Sequence, residues 1–177
     1  MAAAGWFCLC GPRLCRLIRR MHWRKVTLIG VGLLGGSLGL AMRQRGLADE
    51  VVGFVRRAAS VTEAERCGAV SRGTLDLAEA VAGADLLVFC TPLAQMRPLA
   101  EAMRPHLNRG ALVTDVGSVK GSVVRELAGL FARAGARFVG SHPMAGSEKT
   151  GVAAARADLF EGAACVVTPT ARTQPAA

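Results

Sequence analysis

Val26-Thr27-Leu28-Ile29-Gly30-Val31-Gly32-Leu33-Leu34-Gly35-Gly36-Ser37-Leu38-Gly39-Leu40-Ala41-Met42-Arg43 decides the fold. A β-branched and aliphatic run enters a Gly-x-Gly-x-x-Gly turn, and a small-residue helical pattern leaves it. Strand, glycine turn and helix in that order are the context that gives this motif its meaning. Gly30 suits a tight turn, Gly32 lets backbone approach a pyrophosphate, and Gly35 lets the helix pack close to its strand. The helix start, with Leu33 and Leu34, offers unpaired N–H groups and the positive end of the helix dipole to that phosphate. A dinucleotide is the cofactor this pattern fits.

Working outward, the chain alternates strand and helix patterns. The helix over 33–45 stops at Gly46. Strand patterns follow at 50–55, at 69–70, and at 85–90, where a continuous apolar run is what a strand buried on both faces needs. Others cover 111–116, 138–140 and 164–167, with helices over 60–67, 76–82, 92–103, 122–134 and 151–159. Thr91-Pro92 ends the fourth strand, and Pro98 predicts a kink or early break in the helix after it. This order is that of an α/β, Rossmann-type, doubly wound and mostly parallel sheet. We expect that domain over 25–168, an extension outside the fold over 1–24, and a tail over 169–177.

Charge has to be located before it is interpreted. The formal net charge is +9, but Arg13, Arg16, Arg19, Arg20, Arg24 and Lys25 all precede Val26, and no acid precedes Asp49. The remainder carries only about +3, so a nucleic-acid or membrane-surface role would rest on the N-terminal segment alone. Neither is expected, and no apolar run reaches the roughly 18 residues of a membrane helix. The arginines of 1–20 follow its apolar stretch, the reverse of a secretory signal. The segment reads as a disordered extension, or as translation begun upstream of a natural start at Met21. Six cysteines without a Cys-x-x-Cys pair, and three histidines, predict no metal site. Cys90 and Cys165 read as small buried hydrophobes in strands, with reduced thiols and a cytoplasmic location.

Ligands of an open parallel sheet gather beyond the carboxyl ends of its strands. Past the second strand, the acid that takes a ribose 2′-hydroxyl is absent near Val55, and Arg56 and Arg57 stand there instead. Paired with a 2′-phosphate they favour NADP over NAD; as solvated surface charges they favour neither. Thr91 and Pro92 lie at the same rim. His142 follows a strand and precedes Pro143 in a polar loop over 141–149, where an imidazole can accept a proton at neutral pH. It can equally fasten its own loop. Ser118 can bond a substrate or cap a helix starting near Val119. Glu148 can steer the loop or stay solvated, and Lys120 and Lys149 can attract an anion or be ordinary surface lysines.

Three stretches together resemble one family. Gly30-Val31-Gly32-Leu33-Leu34-Gly35-Gly36-Ser37, Asp115-Val116-Gly117-Ser118-Val119-Lys120 and Gly140-Ser141-His142-Pro143-Met144-Ala145-Gly146-Ser147-Glu148-Lys149 are similar to prephenate/arogenate dehydrogenases, over about 25–170. The histidine segment is the most specific of the three. The resemblance implies oxidative decarboxylation of prephenate or arogenate, with hydride transfer to NAD or NADP, in tyrosine biosynthesis. It implies that His142 takes the proton of the substrate ring hydroxyl, that Ser118 orients that hydroxyl and the cofactor, and that Glu148 joins the surrounding polar network. Members of the family carry a further helical domain that completes the substrate pocket and forms a homodimer. We expect that domain to be absent here, and this chain alone to bind dinucleotide weakly and turn over poorly. The competing readings are the cofactor half of a β-hydroxy acid dehydrogenase and a non-catalytic dinucleotide-binding module. A third is a basic interaction protein using residues 13–25.

Overall fold

A computed structural model of the chain describes residues 22–171 and 173. Six strands form one parallel sheet in the order β3-β2-β1-β4-β5-β6: β1 (Trp23–Ile29), β2 (Ala48–Phe54), β3 (Arg72–Thr74), β4 (Leu86–Phe89), β5 (Leu112–Asp115) and β6 (Arg137–Phe138). The helices are α1 (Leu33–Gln44), α2 (Ala58–Arg66), α3 (Leu77–Val81), α4 (Leu93–Met103) and α5 (Lys120–Arg133). The strand order reverses between β1 and β4, which opens a crevice above their carboxyl ends.

Both faces of the sheet are covered, so alternate residues of one strand enter different cores. Ile29, Val52, Leu87 and Phe89 pack with Met96, Met103, Leu127 and Phe131 from α4 and α5. Leu28, Val51 and Val88 pack on the opposite side with Met42 and Ala64 from α1 and α2. Phe131 joins the rings of Phe89 and Phe138, with centroids 6.1 and 5.7 Å away. Each such buried ring contributes about 1.5–3 kcal/mol by leaving water. The one buried polar side chain of β1, Thr27, donates to Ala80 O at 2.7 Å.

Helix ends follow the glycines. Past α1, Gly46 takes φ +59°, its N–H donates to Arg43 O at 3.2 Å, and Leu47 N–H donates to Met42 O at 2.9 Å. That pair of bonds satisfies carbonyls the helix leaves open and turns the chain into β2. Gly68 and Gly135 do the same after α2 and α5.

Several expectations are corrected. Ala69 and Val70 are not a strand: they are buried beneath α1, and pairing with β2 begins only at Ser71, whose N–H donates to Val51 O at 2.7 Å. Pro98 does not interrupt α4, because it lies on the exposed face, as does Ala94, whose carbonyl loses the bond. The helix expected over 151–159 is a single 3-10 turn, Val152–Ala154, followed by turns. α5 begins at Lys120, two residues before the expected start. The last strand, β8 (Cys165–Thr168), is not part of the parallel sheet but pairs antiparallel with β7 (Gly140–Pro143). Cys165 is therefore exposed, where a buried residue was expected. Trp23 and Arg24, expected in the extension over 1–24, belong to β1, where Arg24 bonds Asp85 at 2.9 Å beside Lys25, which donates to Ala82 O at 2.6 Å. The readings of residues 1–20 and of the far end of the tail lie outside the described residues.

The glycines differ in what surrounds them. A Cβ on Gly39 would stand 2.0 Å from Ala69 O, whereas one on Gly129 would meet only the flexible end of Arg133 at 3.4 Å. Gly39→Ala is expected to lower unfolding free energy by about 3 kcal/mol, and Gly129→Ala to raise it by about 0.5–1 kcal/mol. Urea unfolding of both variants checks the pair.

Candidate active site

The glycine turn is built by backbone contact. Gly30 adopts φ +99°, and a Cβ there would meet Thr91 Cγ2 at 2.9 Å and Cys90 O at 3.0 Å. A Cβ on Gly35 would lie 2.2 Å from Gly30 O, so α1 rests directly on the turn. Gly32 has open space around its Cβ position and is the N-cap of α1. No side chain caps this helix and no acid lies in its first turn, so the N–H groups of Leu33, Leu34 and Gly35 keep their positive character.

These groups stand beside a cleft of about 640 Å³ at the β1/β4 crevice. Gly30, Gly32, Arg56, Arg57, Thr91 and Pro92 line it, as expected from their positions at strand ends. Arg56 and Arg57 are exposed and make no ion pair among the described residues. Ser60, Glu63, Gln95 and Leu99 also line it and were not singled out from the sequence. Ser60 and Glu63 are three apart on α2, a spacing that puts them on one face, and this was the available signal. Glu63 is the only acid among the lining residues.

The residues present fit a dinucleotide. Thr91 Oγ1 is buried without a hydrogen-bond partner, the Gly32 position is open to the cleft, and two unpaired guanidiniums stand at one end. Cys90 also lines the cleft; although half-buried as a residue, its thiol donates to Val88 O at 3.7 Å. Burial, with the Asp115 carboxylate adding to it, pushes that thiol up to about 12.

The expected chemical groups sit further along the same rim. Phe89 pairs in register with Asp115, so Thr91-Pro92 and Gly117-Ser118 leave neighbouring strands side by side. A Cβ on Gly117 would meet Leu93 Cδ2 at 2.8 Å, which shows how closely that turn approaches the start of α4. Ser118 is exposed and is not a helix cap: Val119 is the N-cap of α5 and no side chain bonds there. His142 is not in a loop but in β7, opposite Val166. Its neighbours Ser141 and Pro143 face an apolar trough under α1, so alternation turns His142 to the other side, with Gly140, toward α5. None of His142, Ser118 and Glu148 lines the dinucleotide cleft itself. Glu148 is exposed in the turn where Lys149 N–H donates to Ser147 Oγ at 3.1 Å. Lys149 is exposed, but Lys120 is not a surface lysine: it is turned inward onto Asp115. Among the described residues no cluster of His, Cys, Asp and Glu is placed to hold a metal ion, and no helix is long and apolar enough to cross a membrane.

Residues 38–177 match the family described as prephenate dehydrogenase, nucleotide-binding domain. The chain belongs to that family. It is 35% identical to the prephenate dehydrogenase of Lactococcus lactis over 150 residues, which are 82% of this chain and 41% of that protein. Among solved structures it superposes on Synechocystis arogenate dehydrogenase with a TM-score of 0.79 at 34% identity, covering 86% of this chain and 52% of that one. The Aquifex aeolicus prephenate dehydrogenase complex with hydroxyphenyl propionate and NAD+ gives 0.78 at 33% identity, covering 85% and 52%. The chain spans about half the length of these relatives. As a nucleotide-binding domain of this family, it binds NAD(P).

A thiol raised so far has almost no thiolate at pH 8. Iodoacetamide at that pH is expected to label Cys165 and leave Cys90 unmodified until the chain is unfolded, as read by peptide mass mapping.

Proposed function

We propose that this chain provides the cofactor-binding half of the oxidative decarboxylation of prephenate or arogenate, a step toward tyrosine. The observation that carries the reading is the order of groups along one rim: arginines, glycine cradle, Thr91, Ser118 and then the strand bearing His142. The relatives' substrates and the NAD+ of the Aquifex complex support it.

The bound nicotinamide supplies a hydride acceptor. Gly32 and the first turn of α1 hold the pyrophosphate through backbone N–H groups, at a helix end whose dipole favours negative charge, while Gly30, whose own N–H donates to Phe54 O at 2.9 Å, makes the turn beneath it. Thr91 Oγ1 donates its unused hydrogen bond toward the cofactor, and α4 beneath it closes one side of the cleft. His142 accepts the proton of the substrate ring hydroxyl as the hydride departs, and Ser118 bonds the same oxygen and fixes its direction. Glu148 completes the polar surround. Loss of carbon dioxide and a hydride aromatises the ring, so the driving force resides in the substrate. The protein has mainly to align two partners and manage one proton.

At the adenosine end, Arg56 and Arg57 select the 2′-phosphate of NADP, with two charges of the right sign and no competing ion pair. Free thiols at Cys67, Cys90 and Cys165 accord with a reducing, cytoplasmic setting.

Replacing His142 by Asn is expected to lower prephenate- or arogenate-dependent reduction by about 10²–10⁴-fold, with dinucleotide affinity held within about twofold. Unchanged turnover would remove His142 from the reaction. Arg56→Ala with Arg57→Ala is expected to weaken NADP+ about 10–100-fold, the worth of hydrogen bonds to a charged group, and leave NAD+ unaffected. Equal losses for both dinucleotides, by calorimetry, would overturn the NADP assignment.

A further inference from the structure

Ser141, the residue before His142, is held from every polar atom it has. Its N–H donates to Asp115 Oδ1 at 3.3 Å, and its hydroxyl donates to Asp115 O at 2.6 Å while accepting from Thr114 Oγ1 at 3.0 Å. Its carbonyl accepts from Lys120 Nζ at 2.7 Å. The same ammonium donates to Asp115 Oδ2, which also accepts from Gly117 N–H at 2.9 Å. Asp115 is fully buried and the Lys120 side chain is 15% exposed. One carboxylate and one ammonium thus join the end of β5, the turn carrying Ser118, the first residue of α5 and the strand carrying His142.

Stability does not explain a buried pair of this kind. Taking both charges out of water offsets much of their attraction, and an apolar pair of the same volume would hold the elements together at least as well. What an apolar pair cannot do is set direction. Hydrogen bonds to both carboxylate oxygens and from one ammonium fix where the Ser141 backbone lies relative to Gly117, and a strand whose residue 141 is fixed has little freedom left at residue 142. The need is local, since among the described residues β7 is paired only with β8, whose Val166 and Val167 are half exposed.

We propose that the Asp115–Lys120 pair is the positioning device of the site, fixing Ser141 and through it the His142 side chain against the Gly117-Ser118 turn. The assignment rests on the dehydrogenase reading above for what His142 does, but not for where it is held. Asp115 and Lys120 are positioning residues and touch no reacting atom.

The informative variant is D115N/K120M, because either single change leaves one charge buried and unpaired. It is to be compared with the parent, without cofactor or substrate, by thermal melting, amide exchange and the ring resonances of His142 in a proton–carbon correlation spectrum. Expected are a melting temperature within a few degrees of the parent's, Ser141 amide exchange at least about tenfold faster, and displaced His142 ring resonances. Gly30 and Gly53 amides should keep their protection. Parent-like Ser141 exchange and His142 resonances in the double variant would overturn the proposal, whatever the melting temperature. Should that variant fail to fold, K120Q and K120M decide the matter: glutamine keeps a donor for Ser141 O and should restore the His142 resonances that methionine displaces. Identical spectra for the two would overturn it equally. Because no turnover is read, an unaffected His142→Asn enzyme would remove His142 from the reaction and leave this result standing.

Discussion

The structure depends on backbone lying against backbone where α1 meets the turn after β1 and the segment leading into β3. The Cβ positions of Gly35 and Gly39 fall 2.2 and 2.0 Å from the carbonyl oxygens of Gly30 and Ala69, so no side chain separates the helix from the turn after β1 or from the segment leading into β3. This closeness brings the helix N-terminus down to the level of the Gly30 turn, within reach of a phosphate. It has a cost. Three glycines in twelve residues weaken α1 as an isolated helix by about 0.5–1 kcal/mol each relative to alanine. Packing on both sides offsets that loss. Residues 151–161 lie across the outer face, where Gly36 leaves room for Val152 and Ala155, and buried Ser37 Oγ accepts from Arg156 N–H at 3.0 Å. Arg45 closes the same clasp, donating to Ala157 O at 3.2 Å and pairing with Glu161 at 2.6 Å.

Part of the positive charge of the described domain is spent on such ties. Arg43 donates to Gly68 O and Val70 O at 2.5 and 2.9 Å, and Arg72 bridges Glu50 and Glu79 at 2.9 and 2.5 Å. Exposed pairs of this sort contribute only about 0–1 kcal/mol each. Their effect is to fasten chain crossings, not to build a basic face. Arg56 and Arg57 stand out against this background because they line the cleft and have no such duty.

How much was legible follows from which physics writes itself into short stretches. The cradle was, because tight turns and close approaches demand glycine at fixed spacings, and the buried strand β4 was, because four consecutive apolar residues have few other uses. The segment 151–159 was misread because its small apolar residues suit a helix locally. Tertiary contact decides otherwise: it must lie flat over Gly36 and Ser37. Ala69 and Val70 were misread for a related reason, since they are buried under a helix, while the edge strand at Arg72–Thr74 is polar. Lys120 was legible as a lysine and not as a buried one. Its partner Asp115 is five residues away, but the enclosing element, β7, comes some 20 residues later.

The two ends of the rim are therefore built on different principles. The nucleotide end is made of backbone N–H groups and missing side chains, and it tolerates few substitutions because a single methyl group meets a carbonyl. The His142 end is made of side chains that reach across sequence. Parallel pairing runs out at β6, which is two residues long and is prolonged only by Val139 N–H donating to Val113 O at 3.0 Å. Leaving the parallel sheet there, the chain can carry residue 142 past the end of β5, next to a turn that β5 itself supplies. The register of β6 on β5, Leu112 with Arg137 and Val113 with Phe138, runs on to set residue 142 level with Gly117.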